Sequence, residues 1–472
     1  MKTNNRVKNL REKHPKFVYE KYSYNILNNN FKMFFQFKIE PDIIFSPEIT
    51  IKGIDKKRLA LIGDRVLNNL VFHIGLIEVL SYWKAASSPE IIIKAGYLNK
   101  EQIKWWKDLI FNGMGQFFYE NNINFTDPNF LKISNDFKGA ERREQYRGKL
   151  KTSKVLVPVG GGKDSVITME ILKRNINCFS LNPTLASKKI MKAAHCQNPI
   201  IVERRIDKNL LKLNQKGYLN GHTPFSAYLA FLSVLLALIF DHKFIAFSNE
   251  RSSNEGNLKY LGRNINHQWS KSFQFENLFR KYSKKYLAKE VEYFSFLRPL
   301  YEIQIAKLFS KYPKYFFSFL SCNEAHKTNS GRKKPIKGWC GKCPKCLFVF
   351  AVLYPFLKQR DLIRIFKKNL FTKKELLVIM KELIGERKFK PFECVGTKKE
   401  SLVAFYLSWE KASKLNELPF LLKYFEKKIL PKHLNLKKES QRTMKSWNNQ
   451  HNLPVRFKKD LKYLTNYIGM LQ

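Results

Sequence analysis

The chain has 472 residues, enough for two or three domains that each bury a core without staples; its seven cysteines, three of them within Cys340–Cys346, suit metal binding in a reducing compartment better than a disulfide framework. The opening MKTNNRVKNLREKHPKF lacks the apolar centre of a secretory signal, and the longest apolar run, Ala227–Phe240, is short for a bilayer, so a soluble cytoplasmic protein without a membrane span is expected. A formal charge of +47 would attract RNA, DNA or anionic lipid, but the basic residues are spread from end to end in a chain also rich in Asn, Ile, Phe and Tyr, which reads more simply as lysine-covered solvated faces than as a nucleic-acid arm.

In chain order, residues 1–150 combine the strand-like alternation of FKMFFQFKIE with helix-like segments, LIGDRVLNNLVFHIGLIEVLSYWK and EQIKWWKDLIFNGMGQFFYENN, and predict a separate α+β unit. From Lys154 the pattern changes. Short apolar runs recur as VLVPV, CFSLN, PIIVE and KFIAFS, separated by longer segments able to form helices, which predicts parallel βαβ units in an α/β domain over 151–350. PFSAYLAFLSVLLALIFDH, between Pro224 and Asp241, is apolar nearly all round and fits a helix buried against a sheet. A Lys-rich, helical region over 351–472 follows, with QRDLIRIFKKNLF and KKELLVIMKELI.

The stretch VLVPVGGGKDSVITMEILK, Val155–Lys173, feeds a strand through three glycines into a helix start. Gly160, Gly161 and Gly162 allow backbone conformations closed to other residues and leave no side chain in the way of a ligand. Free N–H groups near Asp164 and Ser165 then offer an anion the positive end of the helix dipole. Spacing excludes a Walker loop, because Lys163 is followed by Asp164 and not by Ser or Thr, and excludes GxGxxG, which needs a glycine where Asp164 stands. Pro158 cannot donate in a ladder, which the last turn of the strand tolerates.

WCGKCPKC sets Cys340, Cys343 and Cys346 two residues apart, so one tight knuckle can aim three thiolates at one ion, with Cys322 the natural fourth ligand of a structural zinc that would pin Ser321–Lys345 to the end of the α/β domain. His326 in place of Cys322, or an iron–sulfur cluster in place of zinc, are the alternatives.

GGGKDS resembles the loop of the PP-loop ATP pyrophosphatases, SGGxDS, with Gly160 where that loop has serine. A PP-loop followed by a Cys-x2-Cys-x2-Cys knuckle is similar to the deazaguanine nitrile synthases. The wider set of FHIGLIEVLSYWKAASSPEIIIKAGYL, QIKWWKDLIFNGMGQFFYENN, VPVGGGKDSV, GYLNGHTPFSA, FSNERSSNEGN and WCGKCPKCLFVF, spanning Phe72–Phe350, resembles the UDP-N-acetylmuramoyl-L-alanyl-L-glutamate epimerases, a PP-loop family of peptidoglycan synthesis; nothing comparable is recognised in the C-terminal region. That resemblance implies ATP and magnesium, a UDP-linked muramoyl dipeptide substrate, adenylation of the terminal α-carboxyl group, inversion of the α-carbon, and release of AMP and pyrophosphate.

Asp164 and Ser165 would handle phosphates and magnesium, with Gly160, Gly161 and Gly162 as the cradle and Lys163 a second cation or a solvent-facing residue. His222, Glu250, Arg251 and Glu255 follow the strands and would lie at the active edge, Arg251 toward the nucleotide, with His267 close by. The competing readings are an RNA- or nucleobase-modifying PP-loop enzyme, which the charge suits, and a nucleotide- or RNA-binding protein without catalysis. Cys178, Cys196 and Cys394 show no paired spacing, which argues against a thiolase, and intact Asp164 and Ser165 argue against lost catalysis.

Overall fold

The computed structural model describes residues 4–139, 143–326, 335–414, 418–467 and 469. Near the N-terminus β1 (Lys16–Leu27) and β2 (Asn30–Ile39) form a long antiparallel pair, and β3 (Ile43–Phe45) and β4 (Glu48–Lys52) both pair with β2. The alternation in β2 holds residue by residue: Phe31, Met33, Phe35, Phe37 and Ile39 are buried, and the intervening side chains face outward. β5 (Glu90–Ile93) and β6 (Lys132–Asn135) extend the sheet in parallel beyond β1.

The second half holds β7 (Val155–Pro158), β8 (Ile176–Leu181), β9 (Ile200–Arg205) and β10 (Phe244–Phe247), the four runs expected from the sequence. A short hairpin, β11 (Leu258–Tyr260) with β12 (Arg263–Ile265), precedes a fifth parallel strand, β13 (Glu292–Ser295), which sequence reasoning missed. These strands run parallel in the order β13-β10-β7-β8-β9, and β9 pairs antiparallel with β4 from Glu48↔Arg205 to Ile51↔Val202. Strands from both sides of residue 150 therefore belong to one eleven-stranded sheet. Pro158 is the last residue of β7, where a missing N–H costs the ladder least.

The helix Phe225–Ile239 is buried on nearly every face, as its all-round apolar sequence requires, and packs on the helix Asp64–Trp83 and on β7 and β10. Among the described residues Asp64–Trp83 is the one helix long and apolar enough to cross a membrane by length and composition, and 89% of its most apolar window is inside the protein. Each Leu, Ile or Phe buried there contributes roughly 1.5–3 kcal/mol.

After the sheet the chain is helical: Pro344–Leu353, Gln359–Phe366, Leu377–Ile384, Lys398–Ala412, Leu436–Lys445 and Val455–Tyr467. This region shares a core with the glycine-loop helix Lys163–Leu172, from Val155 through to Leu461. Its last helix lays Phe457 on Phe244 of β10 and Phe294 of β13, with ring centroids 5.2 and 5.0 Å away. Cys178 and Cys196, whose spacing in the sequence shows no pair, are joined by a disulfide. They stand 18 positions apart in the chain, and β8 and the helix Leu185–Ala193 bring them together.

Candidate active site

The order β13-β10-β7-β8-β9 reverses direction between β7 and β10, and the crevice outside the carboxyl ends of such strands is where open α/β sheets bind ligands. The glycine loop leaves β7 at that point. Only Gly161 uses a conformation closed to other residues, with φ +103°, and a Cβ there would lie 3.1 Å from both Ala186 Cβ and Ser187 N. Gly160 would meet nothing within 4 Å, and Gly162 has an ordinary φ of −89°. The expectation that all three need glycine's freedom is thus narrowed to one. Among the described residues no side chain caps the helix Lys163–Leu172, so its first N–H groups are open to an anion, while Ser165 Oγ donates back to Gly162 O at 2.9 Å.

Three carboxylates converge beside this loop: Asp164 from the helix start, Glu250 after β10 and Glu302 at the start of the helix Glu302–Phe309, which follows β13. Each offers an oxygen within 4.8 Å of the other two. Lys163 is 2% exposed and donates to both Asp164 and Glu302, and Lys345 Nζ lies 3.7 Å from Glu302 Oε1. Lys163 is therefore an interior cation, and the solvent-facing alternative does not hold.

Burial works against the charge on Lys163, but its two carboxylate partners outweigh it and hold the ammonium above its usual range. Burial likewise opposes ionisation of Glu302, and Lys163 and Lys345 reverse that and keep it low. Glu250 is pushed up to about 7, by burial first and then by the charge on Glu302. Asp164 is raised by the same two causes. Glu250 Oε1 is buried without a hydrogen-bond partner among the described residues, and two or three hard oxygens beside an anion site are the donor set that suits magnesium.

A second group lies against the first. Lys271 Nζ donates to Cys394 Sγ at 3.0 Å, and His267 Nε2 is 3.8 Å from that sulfur while its Nδ1 lies 2.5 Å from Gln116 Oε1. His222 packs against His267 with its ring tilted by 49° and ring centroids 4.5 Å apart. Burial, followed by the charge of Lys271, pushes His267 down to about 3, and burial and its neighbours lower His222 as well, so both rings are neutral.

The remaining sequence candidates have other partners. Glu255 accepts from Lys390 Nζ at 3.0 Å and from Lys398 N at 2.9 Å, which ties the strand-end loop to the C-terminal helices. Arg251 lies over the Tyr301 ring at 4.4 Å, with its N–H on Leu300 O. Sequence reasoning missed Glu302, Lys271 and Lys345, and left Cys394 without a role. Lys345 stood inside the quoted WCGKCPKC, but nothing local marks the others.

The four cysteine sulfurs also lie within 4.8 Å of one another, with Cys322–Cys343 at 4.0 Å and Cys340–Cys346 at 3.6 Å. Tetrahedral zinc with Zn–S near 2.3 Å would set sulfurs about 3.8 Å apart, so these residues fit that ion. Gly341, φ +64°, turns the knuckle, and backbone N–H groups of Gly341, Lys342 and Cys346 point at the sulfurs. His326 bonds Leu320 O instead of joining the set. Leu320 N in turn donates to Gly161 O at 2.9 Å, so the knuckle braces the glycine loop and carries Lys345 to Glu302. Beside that loop, a cavity of about 470 Å³ is lined by Ala186, Lys189, Phe319, Trp339 and Arg364 among others.

Residues 8–296 match the model of the MurL N-terminal domain, and 318–437 that of the MurL C-terminal domain, which reaches into the region where the sequence alone shows no resemblance. The chain is similar to proteins named UDP-N-acetyl-alpha-D-muramoyl-L-alanyl-L-glutamate epimerase. That of Micromonospora sp. is 33% identical over 342 residues, 71% of this chain and 74% of the relative. That of Xanthomonas oryzae pv. oryzae is 33% identical over 332 residues, 70% and 72%. That of Salinispora tropica is 33% identical over 359 residues, 75% of each. No solved structure matches.

Proposed function

The chain belongs to the MurL family, and from that premise we propose that it inverts the terminal L-glutamate of UDP-N-acetylmuramoyl-L-alanyl-L-glutamate through an acyl adenylate, releasing AMP and pyrophosphate, as a PP-loop enzyme of peptidoglycan precursor synthesis. The observation that carries the ATP-dependent part is the pairing of an uncapped helix start at Gly162 with three converging carboxylates at the ends of β7, β10 and β13. One element suits triphosphate oxygens and the other the cation that accompanies them.

Adenylation explains why such a site would serve an epimerase. A free carboxylate resists loss of the neighbouring α-proton because the carbanion forms beside a negative charge. An acyl adenylate carries no charge at that carbonyl and can take the electron pair as an enolate, which nearby cations or N–H donors stabilise.

In this reading the helix N–H groups after Gly162 hold phosphate oxygens, and Gly161 lets the backbone come close to them. A magnesium ion held by Asp164, Glu250 and Glu302 would neutralise phosphate charge. Lys163 donates to Asp164 and Glu302 and holds both in place, keeping Glu302 ionised, and Lys345 adds a cation from the cysteine knuckle, which zinc would hold rigid. The cavity beside Ala186, with its Phe and Trp side chains and with Lys189 and Arg364, suits the adenosine end of the nucleotide.

The test is pyrophosphate release from ATP and magnesium with UDP-N-acetylmuramoyl-L-alanyl-L-glutamate, followed by the chirality of the recovered glutamate. Pyrophosphate with D-glutamate is the expected result. Inversion without AMP would overturn the adenylation step, and neither product from folded, metal-replete protein would overturn the whole reading.

A further inference from the structure

Of the seven cysteines, four form the sulfur cluster and two the disulfide, which leaves Cys394 as the one thiol with no structural partner of its own kind. It is partly exposed, in the segment between Lys390 and the helix Lys398–Ala412. That segment is held at the carboxylate cluster. Glu393 Oε2 accepts from Lys345 N at 2.5 Å, and Lys345 Nζ donates to Cys394 O while lying 3.7 Å from Glu302 Oε1.

The sulfur itself sits between a cation and a neutral base. Lys271 Nζ donates to Sγ at 3.0 Å, and His267 Nε2 is 3.8 Å away. His267 is oriented by Gln116 on its other nitrogen and flanked by His222. Among the attractions that hold the Lys271 ammonium above its ordinary range, against burial, Cys394 ranks first, followed by Glu250 and Asp164, so one lysine faces both the sulfur and the carboxylates.

Among the described residues, two buried acceptors nearby have no donor. Glu250, 3% exposed, leaves Oε1 without a partner, and Gln268, 4% exposed, spends its amide on Val395 O, next to Cys394, and leaves its own Oε1 unpartnered. One of these acceptors interacts with Lys271 and the other stands next to His267, and orphaned acceptors around a thiol–imidazole–ammonium group are what a polar ligand would satisfy.

We propose that Cys394 is a catalytic residue of the epimerisation, transferring a proton at one face of the glutamate α-carbon, with the neutral His267 ring orienting its S–H and Lys271 as its counter-charge. The inference rests on the acyl-adenylate reading above. In one direction the Cα–H bond breaks, its proton passes to Sγ, and the electron pair moves onto the acyl oxygen as an enolate. In the other, Sγ returns a proton to Cα and the enolate pair forms the new C–H bond. The protonated sulfur, which is partly exposed, exchanges its proton with solvent, and negative charge left on sulfur faces Lys271. The opposite face needs its own proton donor, so one proton leaves and one arrives and no oxidant or reductant enters.

The experiment runs the whole protein in D2O with ATP, magnesium and the L-glutamate substrate, comparing wild type with Cys394→Ala and Cys394→Ser. Adenylation should persist in both variants, read as AMP and pyrophosphate, while D-glutamate formation and deuterium entry at Cα fall by about 100-fold or more. Wild-type rates of D-glutamate formation and deuterium entry in either variant would overturn the assignment. A wild type that forms deuterated D-glutamate without AMP would overturn adenylation alone, and the variants' deuterium entry would still decide Cys394. If neither variant folds, iodoacetamide labelling of wild type decides: protection of Cys394 by ATP and substrate supports the proposal, and an unchanged labelling rate overturns it.

Discussion

Lys163 and Glu302, 139 residues apart in the chain, form an ion pair whose side chains are 3% and 2% exposed. One comes from the first turn after β7 and the other from the first turn after β13, so the pair ties the central strand of the parallel set to its outer strand, past β10. Removing one partner strands the other charge in the interior, which costs about 3–5 kcal/mol. Glu302→Gln should therefore lower unfolding stability by about 3 kcal/mol in urea, with Asp164 retaining part of the attraction for Lys163. Combining it with Lys163→Met should recover part of that loss, since both charges then go. A double variant as unstable as the sum of the two single ones would show that the pair is not coupled.

Gly161 and Gly160 are neighbours with opposite tolerances. A Cβ at Gly161 meets Ala186 and the Ser187 backbone at 3.1 Å from a φ of +103°, whereas a side chain at Gly160 enters open space. Gly161→Ala should cost at least about 1–2 kcal/mol and weaken ATP binding. Gly160→Ser, which restores the serine of the related loops, should stay within about 0.5 kcal/mol of wild type. Thermal melts of the two variants check this, and a Gly160→Ser loss as large as that of Gly161→Ala would refute the geometry.

These two glycines also mark how far the site was legible in the sequence. The loop, the alternation of Phe31 to Ile39 and the cysteine spacing are local patterns, and a local pattern is visible in a single chain. Glu302, Lys271 and Cys394 carry no such pattern, because each reaches the site through a long-range arrangement: a fifth parallel strand, the loop after β12 and a segment of the C-terminal region. Glu255 illustrates the converse. Its place just after a strand suggested catalysis, but Lys390 and the Lys398 backbone, both remote in sequence, hold one of its carboxylate oxygens, Oε1.

The four sulfurs predict a metal-dependent stability. Cys340→Ser removes one of four ligands, and a closed site that loses a thiolate binds zinc far more weakly. Purified wild type should hold about one zinc per chain, and the variant little, by elemental analysis. A colourless wild type with zinc excludes the iron–sulfur alternative, whereas iron with visible absorbance would replace zinc in this account. Loss of metal should also slow ATP turnover, because the knuckle carries Leu320 to Gly161 and Lys345 to Glu302.

His73 predicts a pH dependence away from the site. It is 2% exposed in the helix Asp64–Trp83, with Nδ1 on Asn69 O at 2.7 Å and Nε2 2.9 Å from Tyr282 Oη. Tyr282 Oη already accepts from Trp106 Nε1 at 3.0 Å and Gln102 Nε2 at 3.1 Å, so its own proton points at Nε2. A protonated imidazole would set two hydrogens face to face there. Burial, then the Arg143 charge, pushes His73 down to about 3. The unfolded chain, with a histidine near 6.5, binds the proton first, so this group's contribution is complete above about pH 6.5 and declines as pH falls toward 3, by up to about 1.4 kcal/mol per pH unit. Between pH 6.5 and 5 the loss from this residue is about 2 kcal/mol. His73→Gln cannot take up that proton and should show a correspondingly flatter fall in unfolding free energy over the same range, even though it starts less stable. Equal slopes for variant and wild type would mean that His73 is not held neutral in the folded protein.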